Sequence, residues 1–207
     1  MISLEQFRNI PLESSVLQNL VSNYKFPRNK VSALEKRGQV IRLKKGLYVV
    51  SEIISRKPVS CELLANHLYG PSYLSLETAL SFYGMIPERV FAIRSITTKR
   101  AKNFTTPFGN FDYTTVSANY FRIGLRQEIV ENQYVFLIAT PEKALCDLIV
   151  ATPNLRLQST KAMQIFLEED LRIDFSDWQN IDTEIFRQCV EAGRKKEELG
   201  LLLKLLF

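Results

Sequence analysis

The sequence predicts an α+β protein in two parts, and three observations carry that prediction. Residues 27–50 read as a short basic helix running straight into a basic β-hairpin; positive charge is gathered toward the N-terminus; and the middle of the chain alternates helical stripes with period-two β-branched and aromatic runs. A chain of 207 residues can bury one substantial core or two modest ones. With 46% hydrophobic and 24% charged residues it has the composition of a folded chain, not of a disordered one.

Ser3 is a candidate N-cap with Gln6 three residues on, so Leu4 to Asn9 is expected to form a short helix closed off by Pro11. Val16, Leu17, Leu20 and Val21 then give a helical stripe over residues 13–24. The turn Lys25-Phe26-Pro27 is short, and Phe26 is expected to plug a small core. Pro27 suits the first position of a third helix, in which Val31 and Leu34 point inward, and Gly38 suits a left-handed cap just past its end. After Gly38 the period changes to two: Val40, Ile41, Arg42 and Leu43 on one strand, Leu47 to Val50 on the next. Lys44, Lys45 and Gly46 make the turn, with Gly46 supplying a positive φ and the two lysines expected at an unneutralised tip. Three helices and a hairpin in this order predict a winged helix-turn-helix over residues 1–57, with 51–58 as the linker.

The second part, 58–207, is expected to combine an antiparallel sheet with helices. Ser60 opens a helix carrying Leu63, Leu64 and Leu68, which Gly70-Pro71 breaks; residues 72–83 are read as another, ending at Gly84. Strands are expected over 90–97, over 104–116 with a turn at 107–110, and over 128–138. Thr140-Pro141 starts a helix with the stripe Ala144, Leu145, Leu148, Ile149, and three further helices are expected over 160–170, 182–192 and 195–207.

Charge divides the chain further. Residues 1–57 hold 11 Lys and Arg against 4 acids, 58–126 hold 7 against 4, and 127–207 hold 9 against 14. A basic N-terminal module suits a polyanion. Cys61, Cys146 and Cys189 are odd in number and far apart, which indicates buried thiols and neither a disulfide framework nor a zinc site. No apolar run approaches the roughly 20 residues of a membrane span, and MISLEQFRN lacks the layout of a signal peptide. A cytoplasmic protein with no membrane partner and no cofactor is the expectation. A single histidine, His67, and the absence of Gly-rich phosphate loops, G-x-S-x-G and H-E-x-x-H point away from the common enzyme classes. Asp112, Glu142 and Lys143 lack the acid-spacer-lysine order of a metal nuclease, and no enzymatic activity is expected.

Four words in order, RGQVIRLKKGLYVV, PSYLSLETALSFYGMIPERV, SITTKRAKNFTTPFGNFDY and ATPEKALCDLIV, resemble the AbiEi family of antitoxins from bacterial type IV toxin-antitoxin systems; they cover about residues 36–151. The resemblance implies an N-terminal winged helix that binds double-stranded operator DNA and represses its own operon, and a C-terminal domain that counters a nucleotidyltransferase-like toxin. Carried onto this sequence, the DNA-binding residues are Arg28, Asn29, Lys30, Ser32 and Lys36 of the third helix with Arg42, Lys44 and Lys45 of the wing. Arginine can bond guanine O6 and N7 together and asparagine adenine N6 and N7, while wing lysines neutralise phosphates. The antitoxin surface falls on Lys99, Arg100, Lys102, Arg122 and Arg126, where basic residues adjoin the aromatics Phe104, Phe108, Phe111 and Tyr113. Glu142, Lys143 and Asp147 are open to a contact role or to a helix cap with a structural ion pair. The residues leave open a winged-helix transcriptional regulator whose second domain senses a ligand or dimerises, and an RNA-binding or nuclease domain.

Overall fold

The computed structural model describes residues 4–87, 90–173 and 181–207; the cap proposed at Ser3 lies outside them. The chain begins with a single 3-10 turn, Glu5–Phe7, where a helix from Leu4 to Asn9 was expected. Arg8 adopts a positive φ of 48°, and a segment this short before Pro11 does not recover the cost of nucleating an α-helix. There follow β1 (Leu12–Glu13), α1 (Ser14–Leu20), α2 (Pro27–Lys36), β2 (Val40–Lys44) and β3 (Leu47–Val50). The ten residues of α2 run from the proline to the turn at Gly38, whose φ is +66°. The three strands form an antiparallel sheet in the order β1-β3-β2. β1 is too short to have shown any period in the sequence.

The rest of the chain comprises α3 (Glu52–Ser55), α4 (Cys61–Leu68), β4 (Ser72–Leu74), α5 (Leu76–Phe82), β5 (Ala92–Thr97), β6 (Lys102–Thr106), β7 (Gly109–Thr115), α6 (Ala118–Phe121), β8 (Leu125–Val130), β9 (Tyr134–Ala139) and α7 (Pro141–Ala151). α8 (Thr160–Ile165) continues as a π-helical turn over Phe166–Asp170, and α9 (Thr183–Ala192) and α10 (Lys196–Leu206) close the fold. Six strands make the second sheet, in the order β6-β7-β5-β4-β9-β8. The sheet is mixed, not purely antiparallel: β4 with β9 and β5 with β7 run parallel. The expected helix over 72–83 is also corrected. Ser72, Tyr73 and Leu74 are buried in the middle of the sheet, bonded to β5 and lying beside β9, so tertiary pairing overrides their helical spacing. The strand read over 128–138 is the hairpin β8–β9, turned at Glu131 and Asn132, which both have positive φ.

The described residues form two apolar clusters. Leu4, Leu12, Leu17, Val21, Val31, Leu34, Val40, Tyr48 and Val50 form the smaller one beneath α1 and α2. The larger surrounds the six-stranded sheet, and Leu43, Leu47 and Val49 belong to it. The hairpin therefore serves both, Tyr48 and Val50 facing one way and Leu47 and Val49 the other, and β3 is buried along its whole length. Residues 51–58 do not hang free. α3 lies within them, the Asn9 side chain donates to the Pro58 carbonyl (3.0 Å), and Glu52 accepts from the Val59 N–H (2.9 Å).

α7 passes through the large core, with Pro141 at its first turn and the Thr140 hydroxyl accepting from the Lys143 N–H at 3.4 Å. Ala144, Leu145, Leu148 and Ile149 are buried as their stripe requires. Lys143 and Asp147 are buried with them, 0% exposed and joined by a 2.6 Å ion pair; Glu142 accepts from the Asp182 N–H at 3.2 Å. The residues that stood between a contact role and a structural one are thus held inside. Cys146 and Cys189 are buried free thiols and Cys61 is half-buried.

Candidate nucleic-acid interface

α2 places Arg28, Asn29, Ser32 and Lys36 on its exposed side because Val31 and Leu34 take the inner one. An open groove of about 410 Å³ runs between this helix, α1 and the hairpin, lined by Ser14, Gln18, Arg28, Val31, Ser32, Arg42, Lys45, Gly46 and Tyr48. Four of the eight residues proposed to bind DNA, Arg28, Ser32, Arg42 and Lys45, therefore meet on one concave surface. Gly46, at φ +85°, turns the hairpin there, and its carbonyl accepts from the Ser14 N–H at 2.8 Å, which fixes the tip to the start of α1.

The other assigned residues have more particular surroundings. Asn29 and Lys36 are exposed with their side chains turned to solvent. Lys30 lies over the Tyr24 ring, 4.4 Å from its centre. The Ser32 hydroxyl donates back to the Arg28 carbonyl (3.2 Å). Arg42 pairs with Glu35 at 2.7 Å and lies over Tyr48. The hydrogen bond to Glu35 raises the Arg42 pKa further, so this guanidinium reaches the groove already half-committed. Glu35 precedes Arg42 by only the turn between α2 and β2, but no periodic pattern marks the two as partners.

Two expectations about this region fail. Phe26 does not plug a core: it is 61% exposed at the start of α2, with Lys25 over its ring, because Leu17, Val21, Val31 and Leu34 already fill the space beneath. Lys44 is not at a free tip. A bulge between Arg42 and Lys44 turns it toward the second sheet, where its Nζ donates to the Leu68 carbonyl and stands 5.7 Å from the Phe104 ring. Burial, and then repulsion from Lys102 and Lys99, lowers its pKa.

The five residues assigned to an antitoxin surface are not one patch. Lys99, Arg100 and Lys102 stand at the β6 edge of the sheet, beside the cluster of Tyr69, Phe104 and Tyr113. Arg126 lies on β8, at the opposite edge, 3.2 Å from Glu128, and Arg122 caps α6, which packs on α9. Phe111 and Tyr113 are core; Phe104 and Phe108 are half-buried. Tyr69 joins the basic edge from α4's C-cap, and no spacing in the sequence could have brought it there.

Among the described residues no group of three or more His, Cys, Asp or Glu side chains could hold a metal, and no helix is long and apolar enough to cross a membrane. Compared with known proteins, the chain matches no protein-family model and no curated sequence.

Proposed function

We propose that this protein is a DNA-binding repressor, with residues 1–57 acting as a winged helix-turn-helix: α2 enters the major groove and the β2–β3 hairpin is the wing. One observation carries the reading: Arg28 and Ser32 of the helix and Arg42 and Lys45 of the hairpin line a single open groove. Side chains at the N-terminal end of such a helix reach base edges, and cations on the wing hold the phosphates that set the register. The strand order β1-β3-β2, with a helix pair between β1 and β2, supports the same assignment.

The wider role rests on the resemblance of the four sequence words to AbiEi antitoxins. On that basis the DNA is the operator of the protein's own operon, and the second domain opposes a nucleotidyltransferase-like toxin encoded beside it. The first test is an anisotropy titration of the whole protein against its own upstream DNA and a scrambled duplex. A preference of roughly a thousandfold is expected of an operator-binding protein; equal, weak binding to both would overturn the repressor reading. The toxin half is tested by co-expression with the adjoining nucleotidyltransferase-like gene. Growth rescue is expected, and a chain that binds operator without rescuing is a plain regulator.

A further inference from the structure

Consecutive residues at the hairpin tip send their charges to opposite sides. Lys45 lines the groove with Arg28 and Arg42, whereas Lys44 turns to the second sheet. There it meets two more cations. Lys102 Nζ is 4.8 Å from the centre of the Phe104 ring that Lys44 also approaches, and 5.8 Å from Tyr69; Lys99 Nζ is 5.4 Å from Tyr69, and its ammonium donates to the Gly70 carbonyl. The two rings are themselves 5.7 Å apart. Among the described residues none of the three lysines forms an ion pair with a carboxylate. Like charges gathered this closely repel, and an arriving anion relieves them.

The chemistry of that anion follows from where the rings point their faces. Tyr69 and Phe104 pack edge-on against Tyr113 and carry lysine ammonium groups over them, so they hold the cations and are not open for stacking bases. What is left to offer is charge, spaced along the β6 edge next to the hairpin. Gly46 keeps the tip slim, with nothing within 4 Å of where a side chain would begin. A slim tip with cations on both flanks fits the minor groove of a duplex, which is about 6 Å wide with a phosphate strand on either side.

We infer that the second domain shares the duplex with the first: Lys44, Lys99 and Lys102 contact the phosphates of one strand while Arg42 and Lys45 contact those of the other, the hairpin tip lying between them. This rests on the reading of α2 and the hairpin as DNA-binding. Phosphate contacts carry no sequence information, so the second domain adds affinity and leaves the preference among sequences unchanged.

The test is the salt dependence of duplex binding by the full-length protein, measured with its own upstream DNA and a scrambled duplex between about 50 and 200 mM salt. Lys99→Ala/Lys102→Ala should flatten the log-log slope by about 1.8, two contacts at about 0.9 each, which shrinks the loss of binding over that range by about 12-fold. The ratio of upstream to scrambled affinity should stay as in the wild type. Lys99→Gln/Lys102→Gln, which keeps hydrogen-bonding capacity, should flatten the slope equally, and Lys161→Ala on α8, which packs on α10, should not. A wild-type slope in both double variants, with Lys45→Ala still flattened, would overturn the inference and leave the repressor reading intact. Loss of the upstream preference in the wild type itself would remove that reading, and the inference with it.

Discussion

Lys143 Nζ and Asp147 Oδ1 stand 2.6 Å apart, one turn apart on α7, with neither side chain reaching solvent. The second Asp147 oxygen accepts from the hydroxyls of Ser75 (2.6 Å) and Tyr73 (3.0 Å), and Nζ lies 3.2 Å from the centre of the Tyr120 ring. Taking each charge out of water costs several kcal/mol, which only the partner and the added hydrogen bonds offset. Asp147→Asn or Lys143→Met should therefore lose about 3–5 kcal/mol in urea unfolding. The double change Lys143→Met/Asp147→Asn should lose clearly less than the sum, and strictly additive losses would show the two charges to be independent.

Gly124 presses on the same helix. Its φ is +59°, and a Cβ there would come within 2.7 Å of the Lys143 Cβ and 3.1 Å of Ile185. Gly124→Ala should combine backbone strain with overpacking and cost about 2 kcal/mol or more. Gly84→Ala, where φ is +72° and nothing lies within 4 Å, should show the strain alone, about 1–2 kcal/mol. Equal losses at the two positions would mean that α7 gives way freely.

Alkali should unfold the protein through its tyrosines. Burial pushes Tyr83 up to about 12, and Tyr73, Tyr113 and Tyr120 higher still, so the fold favours their protonated forms. The stability they contribute is fully present below the free tyrosine value of about 10 and is lost as the pH rises through about 12. Lys44 and Lys195 act the other way: burial lowers both, so the cost of keeping them charged in the fold is relieved as the pH rises toward the free lysine value, below the range in which the tyrosines ionise. An absorbance titration should show these four of the 8 tyrosines ionising only as near-ultraviolet dichroism collapses. Full ionisation with the dichroism intact would contradict their burial.

Arg28 and Lys45 face one groove but should fail differently. Arg28→Ala should cost about 1–3 kcal/mol on the preferred duplex and relax its preference at one base pair. Lys45→Ala should weaken all duplexes alike and flatten the salt slope by about 0.9. Binding to a panel of single-base operator variants separates the two, and a uniform loss in both would place Arg28 on the phosphates.

Glu35 restrains Arg42 by their 2.7 Å pair and brings a negative charge toward the groove. Glu35→Gln should free the guanidinium, tighten binding to every duplex and steepen the salt slope by up to about 0.9. A weaker-binding variant would instead show that the pair orients Arg42 for its contact.

The local parts of this architecture were legible, and the long-range ones were not. Pro27, Gly38 and Gly46 mark backbone positions by their own chemistry, so α2 and its hairpin follow from the residues alone. Ser72–Leu74 misled because three residues cannot display a strand period, and their neighbours in the sheet come from β5 and β9, far along the chain. The parallel pairings fail for the same reason. Within the candidate site, Arg28, Ser32, Arg42 and Lys45, assigned through the resemblance, line one groove because exposure on α2 and around the hairpin turn is a local matter. Lys44 departs from the expected free tip because its surroundings are Leu68 and Phe104, and no local pattern announces neighbours so far along the chain.

A hairpin that meets a ligand usually has conformational freedom to surrender on contact, about 1–2 kcal/mol for each residue fixed. Here β3 is enclosed from both sides and the turn is bonded to α1, so that entropy is surrendered when the chain folds. The hairpin arrives in its final shape, and complex formation should proceed with a small heat-capacity change, that of joining two rigid surfaces and not of folding a segment on arrival.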